Sequence, residues 1–102
     1  MILEVAHIKT HAERESEFEE AMRQAAPILM ASAGYIGHDI HRCVENPSQY
    51  ILFVRWQTLE DHMQGFRGSS AFTQWRAILN PHFAEPPQVL HYNQTHAFGQ
   101  KA

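Results

Sequence analysis

The sequence predicts an α+β domain whose elements follow the order β-α-β-β-α-β. Four short segments have the alternation or continuous apolar character of strands, and two longer stretches repeat apolar residues at helical spacing. Turn-forming residues separate these segments. The order is that of a ferredoxin-like fold, in which the helices cover one face of a four-stranded antiparallel sheet.

Size and charge narrow the class of protein. The chain has 102 residues, the size of one domain, which we place at residues 1–93 with a C-terminal tail at residues 94–102. The net charge is −3, with eight basic residues scattered among eleven acids, so no nucleic-acid-binding face is expected. No segment approaches the ~20 apolar residues of a membrane span. We therefore expect a cytoplasmic protein that binds no membrane.

The first strand is predicted over Ile2 to Lys9, because the side chains alternate. Both faces carry apolar groups: one holds Leu3, Val5, His7 and Lys9, and the other holds Ile2, Glu4, Ala6 and Ile8.

A helix should follow the first strand. Thr10 and Glu13 have capping-box spacing, which predicts that the helix begins there. Pro27 predicts a kink or break near residues 24–26, and Gly34 the end of the helix. The side chains expected to face the core are Phe18, Met22, Ala25 and Leu29.

The next two strands form a predicted antiparallel hairpin. They span Tyr35 to Val44 and Gln49 to Trp56, and a turn cluster of Glu, Asn, Pro and Ser joins them. The second of these strands is apolar on both faces, which indicates a position near the middle of the sheet.

A second helical region should come in two pieces before a last strand at Gln88 to Asn93. Thr58 to Asp61 can cap a short helix with Leu59, Met63 and Phe66 inward. Ser69 and Ser70 begin a further helix that ends at Asn80-Pro81, with Phe72, Trp75 and Leu79 inward.

Apolar side chains on both sides of the sheet predict a homodimer. The helices cover one sheet face only, and an uncovered apolar face would be a patch of roughly several hundred Å², more than a monomer normally exposes. We therefore expect two copies to pack sheet against sheet.

Spacing argues against several kinds of chemistry. His38 and His41 point to opposite faces of one strand, and no HExxH or Cys/His pattern is present, so no metal site is expected. Cys43 is the only cysteine and is best explained as a half-buried strand residue. There is no GxSxG elbow and no phosphate-binding glycine loop.

The remaining candidates form a pocket for a flat organic molecule. His7 is the best candidate base, provided its strand face meets the helices; the alternative is a core histidine bonded to a backbone carbonyl. Trp56, Phe66 and Trp75 either line the pocket or only pack in the core. His62 is a further polar candidate, and the alternative is a solvent-exposed histidine.

Arginines complete the list of candidates. Arg55 and Arg76 either orient an anionic or phenolate oxygen of a substrate or pair with acids across a dimer interface. Both uses remain open at this point.

The segment VRWQTLEDHMQGFRGSSAF, with Trp56, Leu59, Phe66, Ser69 and Phe72, resembles the antibiotic biosynthesis monooxygenase domain family. The preceding ENPSQYILF and the opening strand with its acidic helix resemble it too, over residues 1–93. The resemblance implies a dimeric α+β barrel of ferredoxin-like subunits. It also implies oxidation of anthrone-type phenols or quinols by O2, with no metal or flavin cofactor.

The resemblance extends to proteins of similar fold that degrade haem. His7 stands where these relatives carry an asparagine, and Trp75 and Arg76 stand near the expected haem-ligating histidine. Phe66 occupies a position often filled by histidine or tryptophan, and His62, one turn earlier, can partly substitute.

These observations predict a cofactor-independent monooxygenase acting on an aromatic phenol or quinol. His7 and His62 are its catalytic candidates, and Trp56, Phe66, Arg55 and Trp75 its substrate-binding candidates. The alternatives are a non-catalytic small-ligand binding or sensing dimer of the same fold and, third, a haem-binding relative.

Overall fold

The computed structural model describes residues 1–99 and contains one antiparallel sheet with strand order β2-β3-β1-β4. The strands are β1 (Ile2–Lys9), β2 (Tyr35–Arg42), β3 (Gln49–Trp56) and β4 (Gln88–Asn93). The helices are α1 (Glu15–Met30), a π-helical turn (Asp61–Phe66), α2 (Ser70–Leu79) and a 3-10 turn (Asn80–His82). The predicted ferredoxin-like arrangement is confirmed. The predicted tail falls partly on residues 100–102, which lie outside the described residues.

The core lies between the helices and one face of the sheet. Directly paired residues share a face, and the pairs Glu4–Val54, Ala6–Leu52 and Ile8–Tyr50 of β1 and β3 are all buried. The predicted inward stripe of α1 is confirmed, because Phe18, Met22, Ala25 and Leu29 are at most 5% exposed. Each large apolar side chain buried here stabilises the fold by roughly 1.5–3 kcal/mol.

The hairpin agrees with its prediction except at one end. β3 lies between β1 and β2, in the interior of the sheet, and pairs antiparallel with β2. β2 ends at Arg42, two residues earlier than expected. The Cys43 amide still donates to the Gln49 carbonyl at 2.8 Å, but Val44 is 89% exposed in the turn.

The predicted start of α1 is wrong. Thr10 is buried beside the sheet, where it bridges to Phe83 and its hydroxyl donates to the Ser48 carbonyl at 3.2 Å. Since that contact uses the Thr10 side chain, no capping box forms. α1 begins at Glu15, after Arg14 at the N-cap.

The predicted break at Pro27 and end at Gly34 are also wrong. α1 continues through Pro27, whose missing amide removes one hydrogen bond only a turn before the helix ends. The Ala31 amide donates to the Pro27 carbonyl at 3.1 Å, which closes the last turn. Gly34, with a φ of 79°, makes the turn into β2.

The short helix after β3 is a π-helical turn. The Arg67 amide donates to the His62 carbonyl at 2.9 Å, five residues back, which widens the turn. The widened turn places His62 and Phe66 inward and leaves Leu59 and Met63 40% and 41% exposed. The predicted inward face is therefore correct for Phe66 and wrong for Leu59 and Met63. Among residues 1–99, no helix is both long and apolar enough to cross a membrane.

Candidate functional site

A cavity of about 600 Å³ opens between the helix-facing side of the sheet and the second helical region. β1 and β3 form its floor, while the π-helical turn, α2 and the segment at residues 80–87 form its walls. Most of the lining is apolar, and the polar groups include Glu4, His62, Arg67 and Arg76. An apolar cavity with a few convergent polar groups is the usual form of a small-molecule site.

Glu4 is the buried carboxyl of this cavity. Its place on the strand, between Ile2 and Ala6 on the helix-facing side, turns it inward, and it is only 7% exposed. The Trp56 indole N–H donates to Glu4 Oε1 at 2.9 Å. Burial raises the pKa of Glu4 to about 7, although the Trp56 hydrogen bond and the Arg67 charge partly oppose this rise. Glu4 therefore changes protonation state near neutral pH.

His62 lies beside Glu4 in the π-helical turn. Its Nε2 is 3.3 Å from Glu4 Oε1, and its ring stacks on Trp56 with centroids 5.2 Å apart and planes at 19°. Burial lowers the pKa of His62 to about 4, and the nearby His91 and Arg67 lower it further. His62 is therefore a neutral imidazole at pH 7.

His91 extends this pair toward the surface. It lies on β4 opposite Glu4, and its Nε2 is 2.7 Å from His62 Nδ1. Burial lowers the pKa of His91, with a smaller contribution from Arg67. Which of the two nitrogens, His91 Nε2 or His62 Nδ1, carries the donated proton depends on the tautomers of the two rings.

The free oxygen of Glu4 gives the cavity its chemistry. Trp56 and His62 both contact Oε1, and among residues 1–99 Oε2 has no hydrogen-bond partner. Oε2 is thus the atom that can exchange a proton with a bound molecule. The three side chains form a row, and within residues 1–99 no group of three His, Cys, Asp or Glu converges to hold a metal ion.

The predicted site residues divide between two faces of the sheet. His62, Phe66 and Trp75 line the cavity. Trp56 is fully buried and does not line it; instead it supports Glu4 and His62 from behind. The expected alternative of an exposed His62 is wrong, since the ring is 3% exposed.

His7 and Arg55 lie on the open face of the sheet. The face of β1 that meets the helices carries Glu4, Ala6 and Ile8, so the condition attached to His7 is not met. His7 is exposed, and the Arg55 guanidinium pairs with Asp39 at 3.3 Å. Neither side chain lines the cavity, because strand alternation turns both away from it.

Sequence reasoning missed Glu4 and His91. Glu4 had a usable signal, because it is an acid on a strand face otherwise made of Ile2, Ala6 and Ile8, and a buried carboxyl needs a partner or a function. His91 had no comparable signal, because its partner His62 is 29 positions away and meets it only in the folded chain.

The fold and the cavity define a class of protein: a ferredoxin-like domain with a small-molecule cavity between sheet and helices. A family model described as antibiotic biosynthesis monooxygenase matches residues 1–78. The chain belongs to the antibiotic biosynthesis monooxygenase family.

Two relatives share more than 40% of their residues with this chain over most of its length. The uncharacterized protein YczJ of Bacillus subtilis (strain 168) is 45% identical over 92 residues, covering 90% of this chain and 97% of YczJ. A crystal structure from Bordetella bronchiseptica, of a protein assigned to the antibiotic biosynthesis monooxygenases, is 41% identical with a TM-score of 0.89 and covers 93% of this chain and 97% of that one.

A more distant neighbour shares the fold alone. SnoaB of Streptomyces nogalater, described as a cofactor-independent oxygenase, has a TM-score of 0.83 at 13% identity, with 97% of each chain covered.

Proposed function

We propose that this protein is a cofactor-independent monooxygenase that oxidises an aromatic phenol or quinol with O2. The observation that carries the proposal is the pairing of Glu4 and His62 in the wall of an apolar cavity. A base works best when its pKa is near the working pH, and the pKa of Glu4 is about 7. The description of SnoaB as a cofactor-independent oxygenase supports the reaction type.

The side chains have distinct roles in this proposal. Ionised Glu4 takes a proton from the bound substrate through Oε2, while the Trp56 indole holds Oε1 in place by donating to it and His62 lies beside the same oxygen at 3.3 Å. Glu4 is the catalytic residue, and His62 and Trp56 are positioning residues. Phe66 and Trp75 supply apolar walls for a flat ring.

The reaction balances without an added reductant. The deprotonated substrate carbon combines with O2 to give a peroxide anion, which takes a proton back from Glu4. Glu4, ionised again, removes the remaining proton of that carbon, the O–O bond breaks, and the leaving hydroxide takes this proton from Glu4 and departs as water. A ring CH2, or the ring C–H of a phenol, and O2 thus give a carbonyl and one water, and the substrate supplies all four electrons.

We also propose that the working form is a homodimer joined through the open sheet face. That face carries apolar residues from three strands: Leu3, Val5, Ile51, Phe53, Leu90 and Tyr92. The helices lie on the opposite side, so within residues 1–99 no element of the same chain packs on this surface. A second copy would remove it from water.

Oxygen uptake by metal-stripped, flavin-free protein tests the oxygenase. The assay uses a panel of anthrones, naphthols and quinols and compares wild type with Glu4→Gln, which keeps an acceptor for Trp56 and removes the base. We expect Glu4→Gln to lower kcat/KM by roughly 10²–10⁴-fold. Wild-type kcat/KM should rise with pH through about 7, because the ionised carboxylate is the active form.

Two further variants make the test specific. Glu17→Gln removes an exposed carboxylate of α1 and should leave uptake unchanged. His7→Ala tests the base predicted from the sequence: a loss of uptake there, with normal uptake in Glu4→Gln, would move the site to the open face. Binding of compounds from the panel without any oxygen uptake would favour a non-catalytic ligand-binding dimer. A Soret band on titration with haemin would favour a haem-binding protein.

A further inference from the structure

Two arginines of this chain differ from the others in having no acidic partner within residues 1–99. Within residues 1–99 Arg67 and Arg76 form no ion pair, and both line the cavity. The other four arginines each lie beside a carboxylate: Arg14 by Glu17, Arg23 by Glu20, Arg42 by Glu19 and Arg55 by Asp39. The unpaired positive charge of the chain's arginines is therefore concentrated at one cavity.

One aromatic ring contacts both guanidinium groups. The Cζ atoms of Arg67 and Arg76 each lie 5.6 Å from the centroid of the Phe72 ring, and Phe72 also lines the cavity. Attraction to the ring draws both cations toward this part of the lining. An anion bound in the cavity can accept charge-assisted hydrogen bonds from an arginine placed here.

The acids of the cavity lining do not pair with the two arginines. Within residues 1–99 the lining holds two acids, Glu4 and Glu85, and neither forms an ion pair with Arg67 or Arg76. Glu85 is exposed, and burial of Glu4 disfavours its charged form. The unpaired arginine charge at this cavity stands in a chain whose formal net charge is −3.

The arginines and the Glu4–His62 pair lie at different depths of the cavity. Arg67 and Arg76 are exposed and stand at the mouth, whereas Glu4 and His62 are 7% and 3% exposed and stand inside. A guanidinium pairs with a planar carboxylate through two parallel hydrogen bonds. A volume of about 600 Å³ is sufficient for a molecule of two or three fused rings.

We infer that the ligand of this cavity is an aromatic carboxylate: a flat fused-ring molecule whose hydroxyl reaches Glu4 and whose carboxylate is bound at the mouth by Arg67 and Arg76. The orientation of the hydroxyl rests on the proposed function, whereas the preference for an anion rests on the two arginines alone. Arg67 and Arg76 are then specificity-determining residues that separate charged from neutral aromatic molecules.

Two probes of the same shape test this inference by binding, with no turnover required. They are 6-hydroxy-2-naphthoate and its neutral amide, 6-hydroxy-2-naphthamide, titrated against the full-length protein by isothermal calorimetry at pH 7.5. We expect the carboxylate to bind at least ~10-fold more tightly than the amide, as for a charge-assisted pair at a partly exposed site. Added salt should weaken binding of the carboxylate only.

Single variants assign the preference to its residues. Arg67→Gln and Arg76→Gln should each weaken carboxylate binding by ~3–10-fold and leave amide binding within about twofold. Arg23→Gln, at an exposed ion-paired arginine of α1, is the matched control and should change neither. Thermal unfolding of each variant shows that the fold is intact, and the comparison of the two probes on wild type needs no variant.

Three results would overturn the inference: equal affinity for both probes, no binding of either probe at millimolar concentration, or an equal loss for both probes in the arginine variants. These outcomes are distinct from failure of the oxygenase proposal. Selective carboxylate binding without oxygen uptake keeps the ligand class and rejects the oxygenase. Oxidation of neutral quinols, together with equal binding of the carboxylate and the amide, keeps the oxygenase proposal and rejects the aromatic carboxylate as the ligand class.

Discussion

At the residue scale, the main feature is a carboxyl group in an apolar wall. Removing an ionised carboxylate from water is costly unless hydrogen bonds compensate, and at Glu4 one donor, the Trp56 indole, bonds Oε1 while His62 lies 3.3 Å from the same oxygen. The desolvation free energy that these contacts do not offset raises the pKa of Glu4. A catalytic base has a use for such a pKa, whereas a structural core gains nothing from it.

The raised pKa of Glu4 gives a prediction about stability and pH. The carboxyl has a pKa of about 7 in the fold against 4.5 as its ordinary value, so the stability supplied by its protonated form is complete below pH 4.5 and is lost as pH rises through 7. Glu4→Gln removes this dependence. The free energy of unfolding of the variant relative to wild type should therefore rise by about 3 kcal/mol between pH 4.5 and pH 8.

Urea denaturation at a series of pH values measures this difference, with Glu17→Gln as the exposed control that should show no such trend. A difference between Glu4→Gln and wild type that stays constant over the whole range would mean that Glu4 titrates normally.

At the element scale, the π-helical turn decides which side chains reach the cavity. Its start is fixed by a reciprocal cap, as the sequence predicted: the Asp61 amide donates to Thr58 Oγ1 at 3.1 Å, and the Thr58 amide donates to Asp61 Oδ2 at 3.2 Å. Gly34 packs against this cap so closely that a Cβ there would clash with the Asp61 carboxylate. The cap and the wide turn together bring His62 to Glu4.

Removing the cap should loosen this element. Thr58→Ala deletes the acceptor of the Asp61 amide and should lower the free energy of unfolding by about 1 kcal/mol. It should also shift the NMR signals of the His62 ring nitrogens, because the turn holds that ring beside Glu4. Thr73→Ala, on the exposed side of α2, is the control and should leave both unchanged or slightly raise stability. Unchanged His62 signals in Thr58→Ala would show that packing alone holds the ring.

At the scale of the whole molecule, the sheet separates two surfaces with different tasks. The helix-facing side contains the core and the cavity, whereas the open side carries the apolar patch proposed as the dimer interface. At the β2 end of this open face Asp39 is hydrogen-bonded to His41 at 3.0 Å and forms an ion pair with Arg55 at 3.3 Å. An apolar centre bordered by polar groups is the usual composition of a protein interface.

The dimer can be tested with two leucines of equal exposure. Leu90 is 41% exposed on the open face, and Leu59 is 40% exposed on the helical side. Light scattering after size-exclusion chromatography should give wild type twice the 11.8 kDa chain mass. Leu90→Lys should weaken dimerisation at least ~10-fold, because it buries a charge in the interface, and Leu59→Lys should have no effect. A monomeric wild type would reject the sheet-to-sheet dimer.

Sequence-based predictions that depend on local interactions were more accurate than those that depend on contacts between residues far apart in the chain. β3 and β4 were predicted to the residue, because alternation and turn residues are local signals. The start of α1 was predicted wrongly, because the Thr10 hydroxyl donates to the carbonyl of Ser48, 38 positions away, and therefore does not cap the helix. For His62 only the alternative of an exposed histidine was wrong, because the π-helical turn presents to the sheet a different face of these residues than a helix of ordinary pitch.

The order of elements, the periodicity of each strand and the opposite directions of Glu4 and His7 were all determined by local sequence. Alternation separates two faces of a strand but does not say which face meets the helices, and β1 is apolar on both. Only the tertiary structure decided that question, because it depends on the side to which both crossing helical regions pack. That decision places Glu4 in the cavity with His62 and His91, and leaves His7 and Arg55 on the open face.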